Sequence, residues 1–132
     1  MKKIVVNGTF DIIHTGHLRL LKYAKVMGDY LLVLTDSDER IAELKGPKRP
    51  INHVNDRVEL LNSLRAVDEV KVFNSDDELR EILKSYKADI MVKGSEYRGK
   101  PIIGSEFCNQ ILFFEMAQGY STTNVIERIV NR

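Results

Sequence analysis

The sequence predicts an α/β protein: a parallel five-stranded sheet with helices on both faces. Three observations predict it. Short apolar runs rich in β-branched residues recur along the chain, segments of helical period separate them, and the two stretches with neither pattern each follow a strand.

Taken in order, Ile4, Val5 and Val6 form the all-apolar run of a strand buried on both faces. His17, Leu20, Leu21 and Ala24 then recur at helical spacing, and Gly28 supplies a helix stop. Residues 31–34 are the second buried strand. Val54, Val58, Leu61 and Leu64 give a second amphipathic helix, with Asn52 as its expected N-cap. Residues 70–73 are the third strand. Ser75 with Glu78 reads as a capping box, opening a helix through Leu79, Ile82 and Leu83. Residues 90–92 and 111–114 are the fourth and fifth strands. Ser121 caps a last helix carrying Val125, Ile126 and Ile129. Alternation of this kind implies right-handed crossovers and a Rossmann-like, doubly wound sheet. No repeat or linker interrupts it, so residues 1–132 read as one domain. The two stretches outside the pattern are residues 36–51 and 93–109. Both lie at the carboxyl edge of the sheet, where ligands bind in such folds.

Composition narrows the partners. The chain is 43% hydrophobic and 30% charged, the balance of a globular rather than a disordered chain. Lys and Arg number 20 against 19 Asp and Glu, a net charge of +1. No global field therefore favours nucleic acid or an anionic membrane, and an anionic ligand needs a local site. Cys108 is the one cysteine, which excludes an internal disulfide and a cysteine-cluster zinc site. Its expected role is packing. Met1-Lys2-Lys3 leads straight into the first strand, and that apolar run is too short for a leader or a span. The expected location is the cytoplasm, with no membrane insertion.

The chemistry concentrates where the first strand meets the first helix, in Asn7-Gly8-Thr9-Phe10-Asp11-Ile12-Ile13-His14-Thr15-Gly16-His17. Gly8 allows close backbone approach to a ligand. His14 and His17, three apart, can share one side of a helix start. That start offers N–H groups and a partial positive charge, which suit phosphate. Neutral imidazoles there can donate to phosphoryl oxygens. The competing reading is a metal pair. His53 is the only other histidine and no cysteine cluster accompanies them, so no metal site is expected.

The pattern Gly8-Thr9-Phe10-Asp11-x-x-His14-x-Gly16-His17 resembles the signature of the cytidylyltransferase-like nucleotidyltransferases. Ser121-Thr122-Thr123-Asn124 resembles their second signature, a Ser/Thr-rich turn that opens a late helix. The resemblance covers essentially the whole chain. Two groups in the family are relevant: glycerol-3-phosphate cytidylyltransferases and the adenylyltransferase domains of ADP-heptose synthases. The runs at residues 44–52, Val92-Lys93-Gly94-Ser95-Glu96-Tyr97 and Gly119-Tyr120-Ser121-Thr122-Thr123-Asn124-Val125-Ile126 resemble the second group. Where the first group carries an Arg-Thr pair, Met116-Ala117 stands here. The insert Arg98-Gly99-Lys100-Pro101 departs from the second group, and the kinase domain often fused to it is not among these residues.

The resemblance implies nucleotidyl transfer. A sugar- or polyol-phosphate oxygen attacks the α-phosphorus of a nucleoside triphosphate, with ATP favoured, and pyrophosphate leaves. Mg²⁺ travels with the triphosphate. By the same resemblance His14, His17 and Lys45 are catalytic. Gly8, Thr9, Phe10, Asp11, Gly16, Lys93, Gly94, Ser121, Thr122 and Thr123 bind the nucleotide, and Arg57, Glu96 and Tyr97 meet the acceptor. Several of these have a plainer reading. Asp11 either orients backbone N–H groups or caps its turn. Lys45, with Lys48 and Arg49, is a phosphate clamp or a solvated loop. Arg57 contacts substrate or snorkels over an apolar face, and Arg65 is structural. Tyr97 stacks on a ligand or packs into its loop. The competing functions are a CTP-dependent glycerol-3-phosphate enzyme and a nucleotide-binding sensor without turnover. A nucleic-acid binder is disfavoured for want of a basic stripe. Relatives in this family are often dimers, and Val58, Leu60, Leu61 and Leu64 offer an apolar face for a homodimer.

Overall fold

The computed structural model describes residues 1–115 and 121–131. Its elements run β1 (Lys3–Gly8), α1 (Thr15–Val26), β2 (Tyr30–Asp36), α2 (Asp38–Lys45), α3 (Val54–Asn62), β3 (Glu69–Phe73), α4 (Asp76–Tyr86), β4 (Ile90–Gly94), β5 (Gln110–Phe114) and α5 (Thr122–Val130). Single 3₁₀ turns occupy Ser95–Tyr97 and Ser105–Phe107. The five strands form one sheet in the order β3-β2-β1-β4-β5, with every neighbouring pair parallel. The Rossmann-like α/β expectation holds.

Strand alternation explains the two cores. Side chains two apart on a strand share a face. Ile4 and Val6 of β1 join Leu31 and Val33 of β2 against Leu20, Leu21 and Ala24 of α1 and Leu61 of α3. Val5, Leu32, Leu34 and Met91 point the other way, onto Leu79 and Leu83 of α4. Ile4 and Val6 belong to one cluster and Val5 to the other, so both faces of the central strand are dry. Each such Leu or Val contributes about 1.5–3 kcal/mol by leaving water. Cys108 packs half-buried against the second cluster, and burial pushes its thiol up to about 11.

Three expectations are corrected. Residues 36–51 are not irregular throughout: Ser37 caps α2 by accepting from the Arg40 N–H at 3.2 Å. Asn52 does not cap α3. His53 holds that position, and Asn52 instead donates from Nδ2 to the Asp11 carbonyl at 2.8 Å. At α4, Ser75 accepts from the Glu78 N–H as expected, but Glu78 reaches back to the N–H of Asn74 rather than Ser75. Of the apolar face offered for a homodimer, Leu61 is buried, Leu64 packs against the same cluster, and Leu60 is exposed.

Candidate active site

Two clefts open side by side at the carboxyl edge of the sheet, of about 380 and 290 Å³. The turn after β1 forms part of both. Its backbone is forced: Phe10 adopts φ 47°, a left-handed conformation unusual for a bulky residue. Holding it there costs on the order of 1–3 kcal/mol. The return is a buried ring that lies over Gly8, where an added Cβ would sit 3.1 Å from the ring. That ring also tilts against His17, with centroids 5.0 Å apart.

The two histidines build the start of α1 themselves. His14 is the N-cap, and its Nδ1 accepts from the Gly16 N–H at 3.1 Å. His17 returns the arrangement, its Nδ1 accepting from the His14 N–H at 3.2 Å. The rings stack at 3.8 Å. A nitrogen that accepts from an amide carries no proton, so each neutral ring must carry its proton on Nε2. Burial pushes His17 down to about 4, helped by the field of His14. Burial, then the field of Arg128, also lowers His14. Both rings line the first cleft as neutral Nε2–H donors. Gly16 is buried with its N–H taken up by His14, which corrects the expectation that it contacts nucleotide.

Two further residues are corrected by their burial. Asp11 is fully buried and does not line either cleft. Its carboxylate accepts from the backbone N–H groups of Ile51 and Asn52, at 2.8 and 2.9 Å, and from Arg49 Nε at 2.7 Å. Burial pushes the carboxyl up, but these backbone and Arg49 donors outweigh it and hold it below its ordinary value. Arg57 is also fully buried. It donates from Nε to the Asn52 carbonyl, from Nη1 to the Thr9 carbonyl and Thr35 Oγ1, and from Nη2 to the Asp36 carbonyl and Asp38 Oδ1. Those five bonds match the five N–H donors of a guanidinium, so none is left for an acceptor molecule. Arg57 and Asp11 are braces between the turn and residues 36–52.

The remaining candidates do meet. Lys45 ends α2 exposed and lines both clefts. Lys93 lines both as well, almost buried, its Nζ 4.0 Å from the centre of the Tyr97 ring. Burial pulls its ammonium below its ordinary value, against the fields of Asp36 and Glu96. The Glu96 carboxylate folds back over Gly94, 2.4 Å from where an added Cβ would sit, so a side chain there would displace it. Glu96 and Tyr97 are exposed and line the first cleft. From the far side, Ser121 caps α5 by accepting from the Asn124 N–H at 2.9 Å. Thr122 donates to the Ile12 carbonyl at 3.4 Å, tying α5 to the histidine turn, and Thr123 lines the same cleft. Met116, Ala117, Gly119 and Tyr120 lie outside the described residues.

Sequence reasoning missed Asn7, Asp36 and Arg40. All three line the second cleft. Arg40 pairs with Asp36 at 3.0 Å and with Asp76 at 2.5 Å, and burial still raises the Asp36 carboxyl against that pairing. For Asn7 and Asp36 the signal was available, since a polar residue near the end of an otherwise apolar strand marks the sheet edge; Arg40, on α2, gave none. Among the described residues no group of three His, Cys, Asp or Glu can cage a metal ion, and no helix is long and apolar enough to cross a membrane.

The family model described as cytidylyltransferase-like matches residues 5–128. Bifunctional protein HldE of Campylobacter fetus is 44% identical over 126 residues, and that of Helicobacter pylori strain Shi470 is 47% identical over 128. These alignments take in 96% and 97% of this chain but 27% of each relative, so the chain spans about a quarter of their length. Among solved structures, a lipopolysaccharide core biosynthesis protein from Thermoplasma volcanium superposes with a TM-score of 0.71 at 25% identity. That superposition covers 89% of this chain and 99% of that one. With its histidine turn, its Ser/Thr-capped late helix and this match, the chain belongs to the cytidylyltransferase-like family of nucleotidyltransferases.

Proposed function

We propose that the chain transfers AMP from ATP to a sugar phosphate such as D-glycero-D-manno-heptose 1-phosphate, releasing pyrophosphate. One observation carries the reading: the two clefts are contiguous and share a wall made by Asn7, Gly8, Thr9, Lys45, Lys93 and Tyr97. The first cleft suits a triphosphate, with two neutral imidazole donors and the hydroxyl-rich start of α5. The second has the carboxylate of Asp36 and an apolar floor that includes Phe73, Leu79 and Ile102, which suits a phosphorylated polyol. The choice of ATP and a heptose phosphate leans on the HldE relatives and the lipopolysaccharide core protein.

In this mechanism a phosphate oxygen of the acceptor attacks the α-phosphorus across the shared wall. The bond from that phosphorus to the bridging oxygen of pyrophosphate breaks. The attacking group is already ionised, so no general base is needed. Positioning and charge stabilisation supply the rate. His14 and His17 donate to the α- and β-phosphates as charge moves onto pyrophosphate. Lys93 and Lys45 hold negative charge from the acceptor side. Tyr97 lies over the junction. Triphosphate chemistry calls for Mg²⁺. The described residues form no cage for it, and none of the steps assigned to them runs through the ion.

The test is pyrophosphate release with each of ATP, CTP, GTP and UTP against heptose 1-phosphate and glycerol 3-phosphate, in the presence of Mg²⁺. Release confined to ATP with the sugar 1-phosphate is the expected result. Release with CTP and glycerol 3-phosphate would replace this reading with the polyol one. ATP binding without turnover on any acceptor would point to a sensor.

A further inference from the structure

Three adjacent strands end in polar side chains on one side of the sheet. Val5, Leu34 and Met91 all belong to the core beneath α4. Two residues further along each strand stand Asn7, Asp36 and Lys93, which by strand alternation face the same way. The strand order puts β1 between β2 and β4. By register Asn7 stands level with Lys93, as Val5 does with Met91, and opposite Leu34, so the Asp36 carboxylate lies two residues further along β2; all three line the second cleft.

Asn7 differs from its neighbours in one respect. Asp36 accepts from Arg40, and Lys93 lies over the Tyr97 ring. Asn7 Oδ1 is buried and has no hydrogen-bond partner among the described residues. Buried acceptors are rarely left so, and a standing exception calls for a reason. A carbonyl oxygen needs a donor, and an ionised phosphate has none to give. A hydroxyl does.

We propose that Asn7 is a specificity-determining residue for the acceptor, its Oδ1 accepting a hydrogen bond from an acceptor hydroxyl. Lys93 beside it holds the acceptor's phosphate, and Asp36 on its other side takes a second hydroxyl. The class selected is a polyhydroxylated phosphate with hydroxyls within a few carbons of the phosphoryl group. A plain alkyl phosphate leaves the row unsatisfied. This rests on the reading that the second cleft holds the acceptor, because Asn7 also lines the first.

The test compares the full chain with Asn7→Ala and the near-isosteric Asn7→Leu. Pyrophosphate release is followed with ATP and heptose 1-phosphate, then with the 2-, 3- and 4-deoxy analogues. Both variants should raise the acceptor KM by roughly 10-fold, the scale of one hydrogen bond to a buried group, with kcat and the KM for ATP little changed. With one deoxy analogue, wild type and variants should become equal. A rise in the KM for ATP alone would move Asn7 to the nucleotide, and a loss that persists with every deoxy analogue would remove the hydroxyl contact. Either result overturns the proposal. A second readout does not need turnover. The Asn7 side-chain amide signal, assigned by its disappearance in Asn7→Ala, should shift on adding heptose 1-phosphate or glycerol 3-phosphate and stay put with inorganic phosphate. If the wild type proves inactive with ATP and the heptose, that shift still supports the contact, while its absence with both polyol phosphates refutes it.

Discussion

The segment after β2 is held from beneath by two buried charges, and the segment after β4 is not. Arg57 and Asp11 together bind residues 36–38 and 49–52 to the turn that carries the histidines. Residues 96–101, by contrast, are exposed throughout, and they meet the sheet through side-chain contacts at the surface, Lys93 with the Tyr97 ring and Arg98 with the Phe113 ring of β5. The difference separates two jobs. One segment fixes where Lys45 emerges relative to His14 and His17. The other forms an outer wall that can differ between relatives without disturbing the phosphate end. In the sequence, too, the insert at residues 98–101 is where this chain departs from the heptose-type pattern.

The contrast can be broken most severely at Arg57. Arg57→Met strands three carbonyls and the Asp38 carboxylate, and should cost about 3–5 kcal/mol in urea unfolding, the scale for removing one partner of a buried charged network. A loss no larger than that of an exposed arginine such as Arg65 would show that the brace carries no weight.

Next come the histidines, which should separate activity from stability. His14→Asn keeps an N-cap acceptor, yet turnover should fall ~10²–10³-fold, as when a transition-state donor is removed. His17→Ala should do the same. Near-normal pyrophosphate release in either would end their assigned role.

Asp11→Asn keeps the shape but loses charge-assisted bonds, so a cost of about 2–3 kcal/mol is expected. Its pH signature is distinct. The folded carboxyl sits below its ordinary value, so its contribution is present above the unfolded value of about 3.9 and fades as pH falls through the folded one. Acid titration followed by circular dichroism should show the variant losing this part of the acid dependence. His17 works over a higher window. Its folded value of about 4 lies below the ordinary 6.5, so stability is full above about pH 6.5 and declines as pH falls toward 4, where the unfolded chain binds the proton more readily.

The smallest effect belongs to the outer wall. Tyr97→Ala should change stability by less than about 0.5 kcal/mol, as for an exposed position, while raising the KM of one substrate several-fold. An unfolding shift comparable to that of Asp11→Asn would erase the distinction between the two segments.

Much of this was readable from the residues, and the exceptions have physical reasons. The strands were legible because apolar β-branched runs survive burial on both faces, and the histidine turn because its spacing sits between a strand and a helix. Helix α2 was hidden by its composition: of its eight residues only Ile41 is buried, so no apolar period announced it, although Ser37 and Gly46 flank it as start and stop signals do. The burial of Arg57 could not be read locally. Its acceptors come from Thr9, Thr35, Asp36, Asp38 and Asn52, which only the fold brings together. Asn7 and Asp36 were legible in principle as polar ends of apolar strands, but only strand order places them beside Lys93.

The central claim is that the first cleft meets the triphosphate with fixed, neutral imidazole donors. Two-bond ¹H–¹⁵N spectra of the ring nitrogens of His14 and His17, taken from about pH 8 down to about pH 5, test it most directly. The account predicts Nδ1 unprotonated and Nε2 protonated in both rings, with His17 unchanged across that range. An Nδ1–H tautomer, or a His17 that titrates near its ordinary value, would contradict it.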